Sequence, residues 1–243
     1  MKKRLVLICV LVLVFAGCMK REASSNKNSA DKGNTNQTEK VKPAPGTGNV
    51  QGKVLYNGAP VENIDVRLCE QFSRFLSGCG GQIFTAKTDK DGDYVITNVP
   101  PKEYEGLTVR VFDTDSYVFA TTGVAGISAA KYKVEADKTL FVNPTNLFKA
   151  DLKLTNPKAG SSIGGENVEF QWDAYPDAAY YKLALTPDNH LSESRYSNQR
   201  VDGTSFKVTK PLEKGGYRWK VEAFNSSDKK LSESGDGITF TVQ

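Results

Sequence analysis

Four cysteines and a single histidine are the side chains of this 243-residue chain most suited to covalent or metal chemistry. Their surroundings assign them unequal tasks. Cys9 lies inside an apolar run, and Cys18 closes it: in VFAGCMK the thiol follows Ala16 and Gly17 and is succeeded at once by polar chain. There it can neither join a core nor meet a nearby partner, so its sulfur offers a nucleophile for modification. Cys69 and Cys79 lie close together, and two thiols need further ligands to hold a metal. His190, in PDNHLSES, has nothing beside it that completes a triad or a zinc set. DKDGDY crowds Asp89, Asp91 and Asp93 together, which invites a calcium reading. With Gly92 at the glycine position of an EF-hand loop, Lys87 and Asn98 fall where its first and last carboxylates belong. Starting the loop at Asp89 instead puts Tyr94 in place of glycine and Pro100 in place of the last carboxylate. An Asp-Gly hairpin turn between two strands explains the same residues. No Gly-rich phosphate loop, Gly-x-Ser-x-Gly or His-Glu-x-x-His occurs. The sequence therefore points to no catalytic residue, no metal ligands and no cofactor. Scattered Asp and Glu leave a hidden carboxylate pair, and with it a cryptic hydrolase, as an open alternative.

What precedes Cys18 explains its position. Lys2, Lys3 and Arg4 form a positive start, and residues 5–17 are almost purely aliphatic. That is the layout of an export signal, and the run is too short for the roughly 20 residues of a permanent spanning helix. The small residues before the cysteine resemble the lipobox of bacterial lipoprotein precursors. The resemblance implies cleavage before Cys18, a diacylglycerol on its sulfur and an acylated amine, with residues 1–17 removed as the signal. Buried methylenes contribute about 0.8 kcal/mol each, so two or three chains hold a protein on a membrane durably. In an exported chain Cys69 and Cys79 read first as a disulfide.

Removing Lys2, Lys3 and Arg4 from 32 basic residues leaves 29, against 28 acidic ones. Near-neutral charge without a basic cluster in the folded part argues against nucleic acid as a partner. Residues 18–48 form the next stretch. They lack aromatics, have almost no aliphatics and are rich in Ser, Asn, Lys, Thr and Gly. Such a segment buries too little apolar surface to offset its ordering entropy, and the expectation is a flexible linker spanning about 30 Å.

The elements that follow read as strands. In residues 49–154, Ile64, Val66 and Leu68 share one face while Asp65 and Arg67 share the other, and the pattern recurs in GDYVITNV and LTVRVF. Asn57-Gly58, Asp91-Gly92, Pro100-Pro101 and Glu105-Gly106 separate the runs. Short alternating strands at this spacing indicate an antiparallel sandwich. Gly52, Gly58, Pro60, Val66, Thr88, Asp89, Gly92, Tyr94, Val99, Pro100 and Tyr104 together resemble the pattern of the carboxypeptidase regulatory-like domain, which implies a transthyretin-like β-sandwich. From residue 113 to 149 no strand layout can be read. In CEQFSRFLSGC, Phe72, Phe75 and Leu76 fall on one face of a short helical turn. They form either an apolar knob for a partner protein or a satellite core closing one end of the sandwich.

Residues 155–243 alternate more cleanly. Val168, Phe170 and Trp172 point one way; Tyr181, Leu183 and Leu185 share a face; Tyr217, Trp219, Val221 and Ala223 face a core. NPKAGSSI, Trp172 and LEKGGYRWKVEAFN resemble a fibronectin type III domain, with Leu212 and Gly215 leading to Tyr217 as the corner tyrosine that resemblance implies. The whole chain thus reads as all-β, two tandem antiparallel β-sandwiches after a lipoprotein signal peptide and a disordered linker. The function expected is that of a non-catalytic envelope lipoprotein. It would be held at the cell membrane or outer membrane by its N-terminal lipid, its folded domains outside the cytoplasm, displaying modules for an unknown envelope protein or glycan. A structural spacer in a larger assembly shares these features.

Overall fold

A computed structural model describes residues 37–73, 78–112, 114–122, 128–188 and 194–243. Among them every regular element is a β-strand. Side chains alternate across a strand, so a one-in-two apolar pattern buries one face, and the pattern marks out two cores. Val50, Ile64, Val66, Leu68, Tyr94, Ile96, Tyr104 and Val109 belong to the first. Phe170, Trp172, Tyr181, Leu183, Leu185, Trp219, Val221 and Phe240 belong to the second. Each expected core face is the buried one.

The first sandwich packs two sheets. In one, the strand Gly48–Tyr56 is central and pairs with Asp93–Val99, Ala59–Pro60, Thr139–Phe141 and Thr145–Leu147. The other runs Gly78–Lys87, Asp65–Ser73, Gly106–Arg110, Tyr117–Phe119. The second sandwich sets Leu154–Asn156, Glu169–Trp172 and Ser205–Lys207 against a six-stranded sheet centred on Gly215–Phe224 and Tyr180–Pro187. The fold is all-β, as expected, but the sheets are not purely antiparallel. Thr139–Phe141 and Thr145–Leu147 both run parallel to Gly48–Tyr56, and Ser162–Ile163 runs parallel to Ile238–Val242. Parallel partners arrive by long crossings, which local alternation does not reveal.

Three expectations need correction. The linker is not free as far as residue 48. Asn49 and Gln51 are buried polar residues on the first strand, and residues 37–41 bond the Gln51 amide at both ends and the Asn49 side-chain NH2, leaving Asn49 Oδ1 without a partner among the described residues. Gln51 accepts from the Lys40 amide at 2.9 Å and donates to the Thr38 carbonyl at 2.9 Å; the Asn49 amide donates to the Val41 carbonyl at 2.7 Å. Lys40 adds ion pairs to Asp89 and Asp93. Buried amides need partners, and this polar segment supplies three of them.

The boundary at 154/155 also moves. The Lys149 amide donates to the Leu231 carbonyl, the Leu152 amide to that of Glu233, and Leu152 packs in the second core. The second unit therefore begins near residue 149. Finally, the Asp-Gly turn is a turn but not a hairpin. Asp89 Oδ1 accepts the amides of Asp91 and Asp93, and Gly92 takes φ +72°. The strands on either side, Gly78–Lys87 and Asp93–Val99, belong to opposite sheets, so the chain crosses over the core there.

Candidate functional site

The residues singled out by sequence scatter rather than converge. Cys18, Phe75, Leu76 and His190 lie outside the described residues. Cys69 and Cys79 are joined by a disulfide across the hairpin Asp65–Ser73/Gly78–Lys87, their Cα atoms 5.3 Å apart. Phe72, expected on a helical turn, is instead a strand residue opposite Cys79. Its ring meets Phe119 at 4.6 Å and presses on the backbone at Gly106, where even a Cβ would lie 2.8 Å away. That is the satellite-core role for this one residue. By the chain-entropy model a loop this short contributes about 2–3 kcal/mol, so Cys69→Ser/Cys79→Ser should lower unfolding stability by that amount. Urea titration with and without reductant checks it, and a reductant-insensitive wild type would contradict the staple.

Asp89 and Asp93 face Lys40 and Lys53 rather than a shared vacancy. The Lys40 ammonium beside Asp89 holds that carboxyl below its ordinary range. Among the described residues no group of three or more His, Cys, Asp or Glu gathers to hold a metal.

The convergence lies at the junction of the sandwiches, which sequence reading missed. The Asn57-Gly58 turn, whose φ values are +49° and +82°, projects Asn57 toward the second unit. Asn57 donates to Asp177 at 3.0 Å and accepts from Asn225 at 2.8 Å. The hydroxyls of Tyr56 and Tyr175 meet at 3.3 Å. Burial, then Tyr56, push the Tyr175 phenol well above its usual range, so it stays neutral. Lys149 lies over the rings of Tyr56 and Phe112. Hydrogen bonds and ring contacts therefore fix the two units against each other.

Beside this junction a cleft of about 410 Å³ opens between them. One wall comes from the first unit, with Phe119, Tyr132, Phe141 and Phe148; the other from Glu222, Phe224, Asp228, Lys229 and Lys230. Burial pushes the Tyr132 phenol up to about 12, and no other ionisable side chain lines that wall. Lys230 sits over the Phe148 ring and is held by Glu222 and Glu233 at 3.3 and 2.7 Å. Such a recess, with aromatic rings on one wall and several polar and charged groups on the other, is the kind of concave site that ligands occupy. No sequence signal marked it, because its first wall comes from the stretch whose strands could not be read.

The second unit carries one further mark of its architecture. Tyr217 is buried and its hydroxyl donates to the Glu213 carbonyl at 3.0 Å, tying the turn before its strand to the sheet. In the first unit Tyr104 donates to the Pro100 carbonyl at the same distance and spacing.

The fold and its junction define a tandem pair of β-sandwich modules. No family model and no curated protein matches the chain. Solved structures give loose likenesses. Fibronectin(III)-like modules of Clostridium thermocellum CbhA share 17% identity at a TM-score of 0.28, covering 38% of this chain and 95% of that one. The FN1-FN3 domains of chicken CNTN1 share 13% identity at 0.30, covering 83% and 69%. The full-length major pilin SpaD from Corynebacterium diphtheriae shares 9% identity at 0.29, covering 80% and 64%. TM-scores this low assign neither a family nor a function.

Proposed function

We propose that this protein is a cell-envelope lipoprotein, anchored through acylated Cys18, whose two β-sandwiches form a non-catalytic unit for binding a protein or a carbohydrate. The observation that carries the binding half is the cleft at a fixed junction, with aromatic rings from one unit facing polar groups from the other. The anchoring half rests on the aliphatic run closed by Ala16, Gly17 and Cys18. We read the first module as carboxypeptidase regulatory-like and the second as fibronectin type III-like; the Gly52–Tyr94 packing and the Tyr217 corner support those readings. The folded modules then lie outside the cytoplasm, on the cell or outer membrane.

The test of the anchor is fractionation. Cys18→Ser should move the protein from the membrane pellet to the soluble fraction, and continued membrane retention counts against the lipid. A spacer role within a larger assembly is the second reading, favoured by the bonded Tyr56–Tyr175 and Asn57–Asp177 junction, which suits a stiff rod. Migration after detergent extraction separates the two: a large complex for the spacer, a single chain for the display module.

A further inference from the structure

We propose that the groove between the sandwiches takes a short, neutral oligosaccharide of pyranoses with equatorial hydroxyls, an inference that rests on the binding-module reading and names its ligand class. The aromatic cleft is only half of the groove. A second recess, lined by Asn57, Asp177, Asn225 and Ser226, shares Asn146 and Lys229 with the first. The two adjoin at these residues, one walled by rings and the other by amides, hydroxyls and a carboxylate.

That pairing matches the two surfaces of a pyranose with equatorial hydroxyls. Its axial C–H face is apolar and packs on a ring; its rim of hydroxyls bonds planar side chains edge-on. Phe141 lines the cleft half-buried, and its ring has no ring partner among the described residues. The amide end is held in advance. Asn225 Oδ1 accepts the amides of Ser227 and Lys229, and its Nδ2 fixes Asn57, which in turn fixes Asp177. A site whose polar groups are already set loses less on binding. Asn146, at the meeting of the two recesses, and exposed Asn143 have side-chain amides with no hydrogen-bond partner among the described residues.

The acids at the groove are engaged as well. Asp228 accepts from Tyr180 at 2.9 Å, and Lys230 lies between two glutamates. Lys229, shared by both recesses, has no ion-pair partner among the described residues, but Asp177 and Asp228 stand in the same lining and offset its charge, so a neutral ligand fits better than a charged one. A purely apolar ligand fits worse, since it would strip water from the Asn146 amide and return no hydrogen bond.

The test is calorimetric titration of full-length protein, in a detergent without a sugar headgroup, with cellohexaose and with chitohexaose. At least one should bind saturably at one site per chain. Phe141→Ala should weaken that binding about tenfold by removing the ring face. Asn143→Trp, at an exposed position, should block the groove and abolish binding without moving the thermal midpoint. The proposal is overturned if neither sugar binds, or if binding survives Asn143→Trp unchanged. It is also overturned if the groove takes up tetradecanoate that neither sugar displaces, a result that leaves the binding-module reading standing. The anchor half of that reading fails by a different sign, retention of Cys18→Ser in the membrane.

Discussion

Trp219→Ala is expected to cost the second sandwich about 3–5 kcal/mol, enough to bring its unfolding into mild urea. Trp219 is 1% exposed at the middle of Gly215–Phe224, the strand that pairs with both Tyr180–Pro187 and Ile238–Val242. Its ring lies 4.9 Å from Phe170, which meets Phe240 at 5.8 Å, so deleting it opens a void in an aromatic cluster that closes the core. Trp219→Phe should cost far less, about 1–2 kcal/mol. It keeps a ring in the cluster and removes an indole N–H that has no hydrogen-bond partner among the described residues. The chain's two tryptophans, Trp172 and Trp219, both sit in the second core, so fluorescence of the remaining Trp172 follows that unit alone. Equal urea midpoints for the two variants would show that the site collapses around the gap and that Trp219 is not what holds the core.

The contrast between this core and the cleft shows where the sequence is legible. Trp219 could be placed by inspection because a long strand with one buried face repeats its polarity every second residue. Ile64, Val66 and Leu68, and Tyr181, Leu183 and Leu185, were readable for the same reason. The cleft wall was not. It is built from pieces such as Tyr117–Phe119, Thr139–Phe141 and Thr145–Leu147, each of three residues, too short to display any period. Their place is set by pairing: Thr145–Leu147 lies parallel to Gly48–Tyr56, far away in sequence. The junction is invisible for a related reason. Asn57 and Asn225 bond across 168 residues, and neither has a local pattern that names the other. The segment at 37–47 was misjudged through its composition, which measures what a stretch can bury but not what a neighbouring buried amide requires. Short fragments and distant polar pairs are what sequence periodicity leaves out, and here they form the groove.

Gly52→Val is expected to destabilise the first sandwich by about 3 kcal/mol, near the upper end for overpacking a core. The objection is space. A Cβ at Gly52 would lie 2.5 Å from the Tyr94 hydroxyl oxygen and 2.5 Å from Val142 Cγ2, closer than any such contact tolerates. Tyr94 is 2% exposed and its ring lies over the glycine, which stands directly opposite it in the strand pairing. That geometry gives the motif shared by Gly52 and Tyr94 a physical meaning: a missing side chain on one strand makes room for a phenol from its neighbour. The phenol is itself imperfectly accommodated. Its hydroxyl is buried without a hydrogen-bond partner among the described residues, and burial raises its pKa far above the ordinary range. Tyr94→Phe removes that orphan group and should leave the protein about 1 kcal/mol more stable. The two sites then ought to couple. In Gly52→Val/Tyr94→Phe the hydroxyl no longer meets the new side chain, but the ring carbon Cζ, 2.7 Å from the Cβ, and Val142 still do, so only part of the loss should return. Urea midpoints by circular dichroism for the wild type, both single variants and the double variant give the coupling directly, with about 1 kcal/mol expected. Strict additivity would mean that the strand shifts to accept valine without pressing on Tyr94, and the packing account of this glycine would fall.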